Sequence, residues 1–367
     1  MGSPLDQVRH VRDQLKVWLL EHAYPLWANV GRDPNGGFVE KIGQDGRPVE
    51  APRRVRVAAR QTYAYALAAE LGWRGDWRAM VEHGLAAMER YQRADGLYAI
   101  LMSPDGEVLD DTPAPYEQAF AMLALSAAQQ ALGGDFEAPA VRVREALIAR
   151  LGRPDGGFYE TVRHAAPLRA NPHMHLLESV LAWARVGHDA GWLKMAAGIA
   201  EAALTRMIDP ATGTLCELYD DDWTPLPGAD VEPGHQFEWG WLLIRYAGLA
   251  GRDAAAEAGL RMIGVAKARG VDGRGVAFNA LDQGLEPRDL TARLWPQTER
   301  LKAAVAARDW EAAALAGQGL WKYFATPTPG LWFDRMNPDG SFIDEPAPAS
   351  SFYHIVGAIS DLDRALG

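Results

Sequence analysis

The chain has a single cysteine, Cys216, among its 367 residues. It cannot form an internal disulfide, and such sparing use of cysteine is typical of proteins from a reducing compartment. No run of 18 or more apolar residues is present, which excludes a hydrophobic transmembrane helix. The segment Met1 to Leu20 is charged and amphipathic and lacks the apolar core of a signal peptide. We therefore expect a cytoplasmic protein without a membrane span.

Positive charge is also in short supply, since the formal net charge is -11 at pH 7. Such a chain is poorly suited to bind a phosphate backbone, so we expect no nucleic-acid partner. Hydrophobic residues make up 48% of the chain, which is enough for a large core. No linker or low-complexity segment interrupts it. We predict one domain that covers residues 1–367.

The tryptophan content, at thirteen residues, is high. Aromatic rings stack on the apolar faces of sugars, so this count points weakly to a carbohydrate ligand. A large aromatic core is an equally good explanation.

Helical periodicity dominates the chain. It predicts twelve helices, at residues 4–23, 54–71, 75–91, 115–131, 136–150, 173–187, 190–207, 235–250, 253–269, 289–307, 309–323 and 350–365. Glycine-rich stretches with an aromatic or apolar residue follow the odd-numbered helices, at a spacing of roughly 55 to 62 residues. Second turn signals, such as Pro104-Asp105-Gly106, predict short β-hairpins.

Six helix–hairpin–helix units form an internal repeat. An open solenoid needs polar caps at its ends, whereas the terminal helices here are as apolar as the others. We therefore predict an all-α fold, an (α/α)6 barrel with short β-hairpins in its loops. The even-numbered helices form its inner ring, and the starts of these helices line the pocket.

Two of these starts carry a histidine and a glutamate three residues apart, which share one helix face. The pairs are His235 with Glu238 and His175 with Glu178. A helix cap, a dipole complement and core tryptophans would explain one pair, but the repetition favours a functional site. Asn171 precedes the second pair; we expect it to cap that helix and to contact the substrate.

Polar residues in the remaining inner helices extend the predicted site. Arg60 lies in an apolar stretch, so it must be paired or face a ligand, whereas Arg53 and Arg54 are expected in solvent. The tenth helix carries Trp295 and Glu299, and His354 lies at the start of the twelfth. A core tryptophan, a surface glutamate and a core histidine are the alternatives for these three positions.

Taken together, the runs A-R-Q-T-Y, P-G-H-Q-F-E-W-G-W-L-L, L-W-P-Q-T-E and F-Y-H resemble the N-acylglucosamine 2-epimerase superfamily, over Arg60 to His354. The resemblance implies an (α/α)6 barrel that needs no metal or other cofactor. It also implies an isomerase that deprotonates C2 of an open-chain sugar and passes through a cis-enediol.

The resemblance further implies roles for individual residues. His235 and His354 act as general acid and base, and Arg60 holds the reacting end of the sugar. Other substrate-binding residues are His175, Glu178, Glu238, Glu299 and the stacking residues Trp295 and Trp321. Glu178 and Glu238 are expected to orient the histidines that precede them.

The continuation F-Y-H-I-V lacks the arginine that 2-epimerases commonly carry after the last histidine, and it resembles the mannose isomerase branch. We therefore expect an aldose–ketose isomerase of the mannose/fructose type, with a 2-epimerase of mannose, N-acylglucosamine or a related sugar as the alternative. Whether the sugar is phosphorylated stays open, since Arg53, Arg54 and Arg56 could bind a phosphate. A monomer or a homodimer is expected.

Three other classes remain open. His175, Glu178, His235 and Glu238 could hold zinc or manganese. A glycoside hydrolase would need two carboxylates, which Asp110, Asp111 and Glu117 could supply, but it leaves the histidines without a role. A carbohydrate-binding scaffold is the third alternative, since the fold alone does not imply catalysis.

Overall fold

The computed structural model describes residues 3–367, and within them fourteen α-helices form the bulk of the protein. These helices are α1 Pro4–Trp18, α2 Tyr24–Asn29, α3 Val55–Ala66, α4 Ala68–Leu71, α5 Trp77–Glu89, α6 Pro115–Leu132, α7 Glu137–Leu151, α8 Ala170–Val186, α9 Gly191–Ala202, α10 Pro233–Ala250, α11 Asp253–Arg269, α12 Trp295–Ala306, α13 Trp310–Trp321 and α14 Phe352–Leu366. None of the helices in this part of the chain is long and apolar enough to cross a membrane.

The helices form two concentric rings. In the inner ring, α3, α6, α8, α10, α12 and α14 each contact the next, and α14 contacts α3 and so closes the circle. Outside them, α5, α7, α9, α11, α13 and α1 pack on these inner helices in the same order. The predicted (α/α)6 barrel is confirmed, and the inner helices are those that the periodicity assigned.

Twelve short strands within residues 3–367 lie in the loops at one end of the barrel. They are β1 Lys41–Ile42, β2 Pro48–Val49, β3 Arg53–Arg54, β4 Leu101–Met102, β5 Val108–Asp110, β6 Leu168–Arg169, β7 Leu218–Tyr219, β8 Ala280–Leu281, β9 Pro287–Asp289, β10 Ala292–Arg293, β11 Arg335–Met336 and β12 Ala347–Pro348. The pairs β1–β2, β4–β5 and β8–β9 are antiparallel hairpins. Strand β12 pairs with β1, so the last repeat is hydrogen-bonded to the first.

Glutamines in the first turn of three inner helices hold the adjoining loops. The side chain of Gln118 accepts from the backbone nitrogen of Tyr98 and donates to its carbonyl. Gln236 binds Leu215 in the same two-sided way, and Gln297 binds Ala277. These bonds satisfy loop groups that the barrel would otherwise bury without partners. They also fix the rotation of helices whose neighbouring residues face the pocket.

An aromatic cluster packs between the first and the last repeats of the barrel. The rings of Trp27 and Trp332 stack with centroids 4.8 Å apart, and Trp18 stacks on Phe324 at 3.8 Å. Aromatic pairs of this kind add about 0.5–1.5 kcal/mol to the burial of their surface. Several further tryptophans are buried away from the pocket residues described below, among them Trp183, Trp192 and Trp239. The aromatic core therefore accounts for much of the tryptophan content.

Two predicted helix starts are wrong. The tenth predicted helix begins at Trp295 instead of residue 289, because Pro287–Asp289 and Ala292–Arg293 are strands. The sixth begins at Ala170 with Arg169 as its N-cap residue. Asn171 thus lies inside the first turn and does not cap the helix, since strand β6 leads the chain directly into helical geometry.

Candidate active site

The first turns of the inner helices bring most of the predicted residues together at one end of the barrel. The rings of His175 and His354 are 6.4 Å apart, although they come from α8 and α14. The ring of Trp295 lies 5.7 Å from that of His354 and 4.8 Å from that of His235. All three histidines are at least 95% buried. These histidines and Trp295 are called the front site.

His354 is held by a carboxylate from the neighbouring helix. Its Nδ1 lies 2.8 Å from Oε1 of Glu299. Because a carboxylate accepts, this contact places the proton on Nδ1 and leaves the lone pair on Nε2. Burial lowers the pKa of His354 well below its usual value, and the charge of Arg60 lowers it further. His354 is therefore a neutral imidazole at neutral pH.

His235 has the opposite environment. Its Nδ1 lies 2.8 Å from Oε2 of Glu217 and 3.8 Å from Oε2 of Glu232. Burial lowers the pKa of His235, but these two carboxylates outweigh burial and raise it above its usual value. The prediction that Glu238 orients His235 is wrong. Glu238 lies one turn further along α10, and the loop residue Glu217 contacts His235 instead.

Trp295 stands between the two histidines because Gly234 lets it approach. A Cβ atom at Gly234 would lie 2.5 Å from Cη2 of Trp295, well inside van der Waals contact. The sequence P-G-H therefore combines three functions in one turn. The proline begins the helix, the glycine makes room for the indole, and the histidine meets the face of that indole.

Two glutamates surround His175. Its Nδ1 lies 3.5 Å from Oε2 of Glu178 and 3.5 Å from Oε1 of Glu238. The expectation that Glu178 orients His175 agrees with this geometry. Burial lowers the pKa of His175 to about 4, although the bond to Glu178 opposes the shift. This imidazole is therefore neutral as well.

Glu238 is fully buried, and neither of its carboxyl oxygens has a hydrogen-bond partner within residues 3–367. Burial raises the pKa of Glu238 well above its usual value, and the nearby carboxylates of Glu299 and Glu178 raise it further. These effects favour the protonated form of the carboxyl group. An unpaired buried group of this kind is available to bind a ligand hydroxyl.

Lys302 supplies the positive charge beneath the histidines. Its Nζ lies 3.2 Å from Oε2 of Glu299, 3.6 Å from Oε1 of Glu178 and 3.9 Å from the centre of the Trp241 ring. Burial opposes its charge, but these glutamates raise the pKa of Lys302. Burial likewise favours the neutral form of Glu178, yet Lys302, His175 and Tyr353 together lower the pKa of that carboxyl group. The buried anions are thus compensated.

Arg60 is placed as expected, inside the barrel and 5% exposed. It donates to the carbonyl of Ser350 at 2.9 Å and to the hydroxyl of Tyr116 at 2.7 Å. Its guanidinium carbon lies 4.0 Å from the centre of the Phe120 ring. No carboxylate within 4.0 Å neutralises it among residues 3–367, and its buried Nε–H has no partner. The charge of Arg60 is therefore free to act on a ligand.

The remaining predicted binding residues behave differently. Asn171 is half-buried in the first turn of α8, and its Oδ1 has no hydrogen-bond partner in the described chain. Trp321 ends the outer helix α13, is 39% exposed and packs edge-on against Phe324. The expected stacking role of Trp321 is not supported, because the residue belongs to the outer ring.

The alternative sites are not assembled as the sequence suggested. His175, Glu178 and Glu238 lie together, but His235 groups with Glu217 and Glu232, so the four predicted metal ligands form no single cluster. Of the hydrolase carboxylates, Glu117 forms an ion pair with Arg56. Asp111 is a mainly exposed loop residue paired with Arg93 at 2.8 Å.

Sequence reasoning missed several residues that contact the predicted groups. Among them are Tyr116, Glu217, Lys302 and Tyr353, whose hydroxyl donates to Glu178 at 2.8 Å. Lys302 was detectable, because it follows Glu299 by three residues and so shares a helix face with it. Glu217 was not, because only the path of its loop brings it to His235.

Comparisons with known proteins agree with this geometry. Residues 36–358 match the family described as N-acylglucosamine 2-epimerase (GlcNAc 2-epimerase). The chain is 41% identical to a mannose-6-phosphate isomerase from Rhizobium meliloti, over 96% of this chain and 97% of the relative. It is 27% identical to a D-mannose isomerase from Thermobifida fusca, over 88% and 87% of the two chains.

Solved structures extend the likeness to the fold. A cellobiose 2-epimerase from Bacillus thermoamylovorans superposes with a TM-score of 0.86 at 17% identity, over 97% of this chain and 100% of the other. This likeness supports the barrel and carries no substrate information. From the family match and the relative at 41% identity, the chain belongs to the N-acylglucosamine 2-epimerase family and is an enzyme of the sugar isomerase and epimerase type.

Proposed function

We propose that the protein is an aldose–ketose isomerase that interconverts mannose and fructose, or closely related sugars, through a cis-enediol. The observation that carries the proposal is the opposite ionisation of two histidines on either side of Trp295. His354 is neutral with a free Nε2, whereas Glu217 and Glu232 raise the pKa of His235 and so favour its protonated form. One can take a proton while the other gives one.

In the proposed reaction, Nε2 of His354 removes the proton from C2 of the open-chain aldose. The C2–H electron pair forms the C1–C2 double bond, and the carbonyl electrons move to O1, which takes a proton from His235. While the enediol is bound, the proton on His354 exchanges with solvent. The enediol then loses the O2 proton to His235, the C2 carbonyl forms, and His354 delivers a solvent-derived proton to C1. Atoms and charges balance, and each histidine ends in its starting state.

Arg60 is the proposed stabiliser of the oxygen that becomes negative. Its charge is not neutralised by a carboxylate, and the aromatic rings around it exclude water. A fixed cation in such surroundings stabilises developing charge more strongly than it would in water. The unpaired Asn171 oxygen and the unpaired carboxyl group of Glu238 would bind hydroxyl groups of the sugar.

The arginines at the barrel mouth support an unphosphorylated substrate. Arg53, expected in solvent, is 7% exposed and pairs with Asp33 at 2.7 Å. Arg54 pairs with Glu40 at 2.5 Å, and Arg56 is bound to Glu117. A phosphate at these arginines would have to displace their carboxylates. We therefore favour the free sugar, although the relative from Rhizobium meliloti is named for a phosphorylated one.

Proton transfer between the two histidines requires no metal, and we propose that none takes part. The buried carboxylates are compensated by Lys302, which performs the charge-balancing role that a cation would otherwise have. Activity should be insensitive to EDTA, and metal analysis of the active protein should show no stoichiometric ion. Loss of activity in EDTA that zinc or manganese restores would contradict this part of the proposal.

The test is proton NMR of the protein in D2O with mannose, mannose 6-phosphate and N-acetylmannosamine in separate tubes. We expect a ketose from mannose with deuterium incorporation, and slower turnover of the other two. A 2-epimer with deuterium at C2 and no ketose would favour the epimerase alternative. The absence of exchange with all three sugars would contradict the enediol mechanism.

A further inference from the structure

A second cavity lies at the opposite end of the barrel, where the inner helices finish. We call it the rear cavity. Its volume is about 460 Å³, and its walls come from α3, α4, α6, α8, α10 and α14. Small-molecule sites typically span about 300–1,000 Å³, so this one is large enough for a small metabolite.

The charges that line the rear cavity balance each other. Three acidic and three basic residues contribute: Glu70, Glu178, Asp361, Arg185, Arg245 and Arg364. Arg245 pairs with Asp361 at 2.5 Å, and Arg364 binds both carboxylate oxygens of Glu70. These pairs leave no marked excess charge that would select an ion. They do present many hydrogen-bond donors and acceptors on a small surface.

One hydroxyl group in the wall is unused. Tyr63 lines the cavity and makes no hydrogen bond through its hydroxyl within residues 3–367. The Oγ atom of Ser126 also lacks a partner in the described chain, but it is fully buried behind the wall. The Tyr63 hydroxyl can therefore bond to a molecule in the cavity.

Trp241 closes the inner end of the cavity but presents little surface, because it is 1% exposed. The guanidinium carbon of Arg245 lies 4.3 Å and Nζ of Lys302 lies 3.9 Å from its ring centre. Paired charges without net excess and the unused Tyr63 hydroxyl together suit a molecule with many hydroxyl groups and no charge. We propose that the rear cavity binds a neutral sugar or sugar alcohol of about hexose size, separately from the front site.

Two residues connect the rear cavity with the front site. Glu178 lines the rear cavity, while its carboxylate also contacts His175 and Tyr353 at the front. Trp241 lines the same cavity and donates from Nε1 to Glu299, the partner of His354. A ligand at the rear would therefore lie beside residues that hold the catalytic histidines. This gives an occupant a direct route to influence the reaction.

The test follows the alkylation of an introduced cysteine, because the chain has few competing thiols. Cys216 is the single native thiol and is 9% exposed, so a new cysteine can be followed almost alone. Ala182 lines the rear cavity on α8, and Ala69 is exposed on α4 outside the lining. The variants are Ala182→Cys and Ala69→Cys, and the wild type gives the background of Cys216. The rate of alkylation by iodoacetamide is measured by mass spectrometry with increasing mannitol.

We expect mannitol to slow alkylation of the Ala182→Cys variant by the saturable factor 1 + [L]/Kd, with no effect on Ala69→Cys. Equal slowing of both variants, or none in either, would overturn the proposal. Inorganic phosphate is the second probe, and slowing by phosphate but not by mannitol would overturn the assignment of a neutral ligand. Alkylation needs no turnover, so the result is independent of the proposed reaction.

Discussion

Oε2 of Glu217 lies 2.8 Å from Nδ1 of His235, although the two residues come from a loop and from the helix that follows it. The second partner of this imidazole, Glu232, lies just before the same helix. The acid of the proposed reaction is thus oriented by the loop that leads into α10, and its protonation depends on carboxylates outside the barrel core.

This relationship predicts the effect of Glu217→Gln on the pH profile. The Glu217 carboxylate raises the pKa of His235, so its removal lowers that pKa. Because the proposed acid must be protonated, the alkaline limb of kcat/KM should move to lower pH. Glu232→Gln is the matched control, and its shift should be smaller because Glu232 is 1 Å further from the ring, at 3.8 Å against 2.8 Å. An unchanged alkaline limb in Glu217→Gln would contradict the assignment.

Gly234→Ala should impair catalysis through Trp295. The new Cβ would lie 2.5 Å from Cη2 of that indole and displace it from between the histidines. A misplacement of about 1 Å can cost on the order of 100-fold in rate, and we expect a loss of that order in kcat/KM. Gly248→Ala is the control in the same helix, because apart from its neighbours and the adjoining helix backbone no atom of residues 3–367 lies within 4 Å of the added Cβ. It should keep full activity and gain about 0.5–1 kcal/mol in stability. Equal activity of the two variants would show that the indole position is unimportant.

Lys302→Met should reduce the free energy of unfolding. The substitution leaves Glu178 and Glu299 without their shared cation in the barrel centre. Removing one partner of a buried ion pair typically costs about 3–5 kcal/mol, and urea denaturation would measure the loss. The double variant Lys302→Met/Glu299→Gln removes one of the stranded charges and should recover part of the stability. No loss in the single variant would mean that the glutamates are already neutral.

The repeat made the fold predictable, because each glycine-rich stretch marks a helix end and six of them imply a closed ring. The contact between the first and the last repeats was not predictable, since the stacking of Trp27 on Trp332 joins residues from opposite ends of the chain.

The site was predicted only in part, because sequence spacing defines a helix face and not the neighbour of each side chain. His235 and Glu238 share a helix face but lie one turn apart. His235 therefore contacts Glu217, whereas Glu238 contacts His175. His354 and Glu299 were each found, but their contact depends on the packing of α12 against α14. Trp321 was assigned by resemblance, and its place on an outer helix removed the support for it.

The most direct test of the central claim, that His354 is the base and His235 the acid, follows deuterium from C2-deuterated mannose into water by NMR. We expect His354→Asn to slow this wash-out by about 10²–10⁴-fold, which is the usual contribution of a general base. His235→Asn should retain measurable wash-out while ketose formation falls more strongly. Retention of the wash-out in His354→Asn, with its loss in His235→Asn, would contradict the account and reverse the two roles.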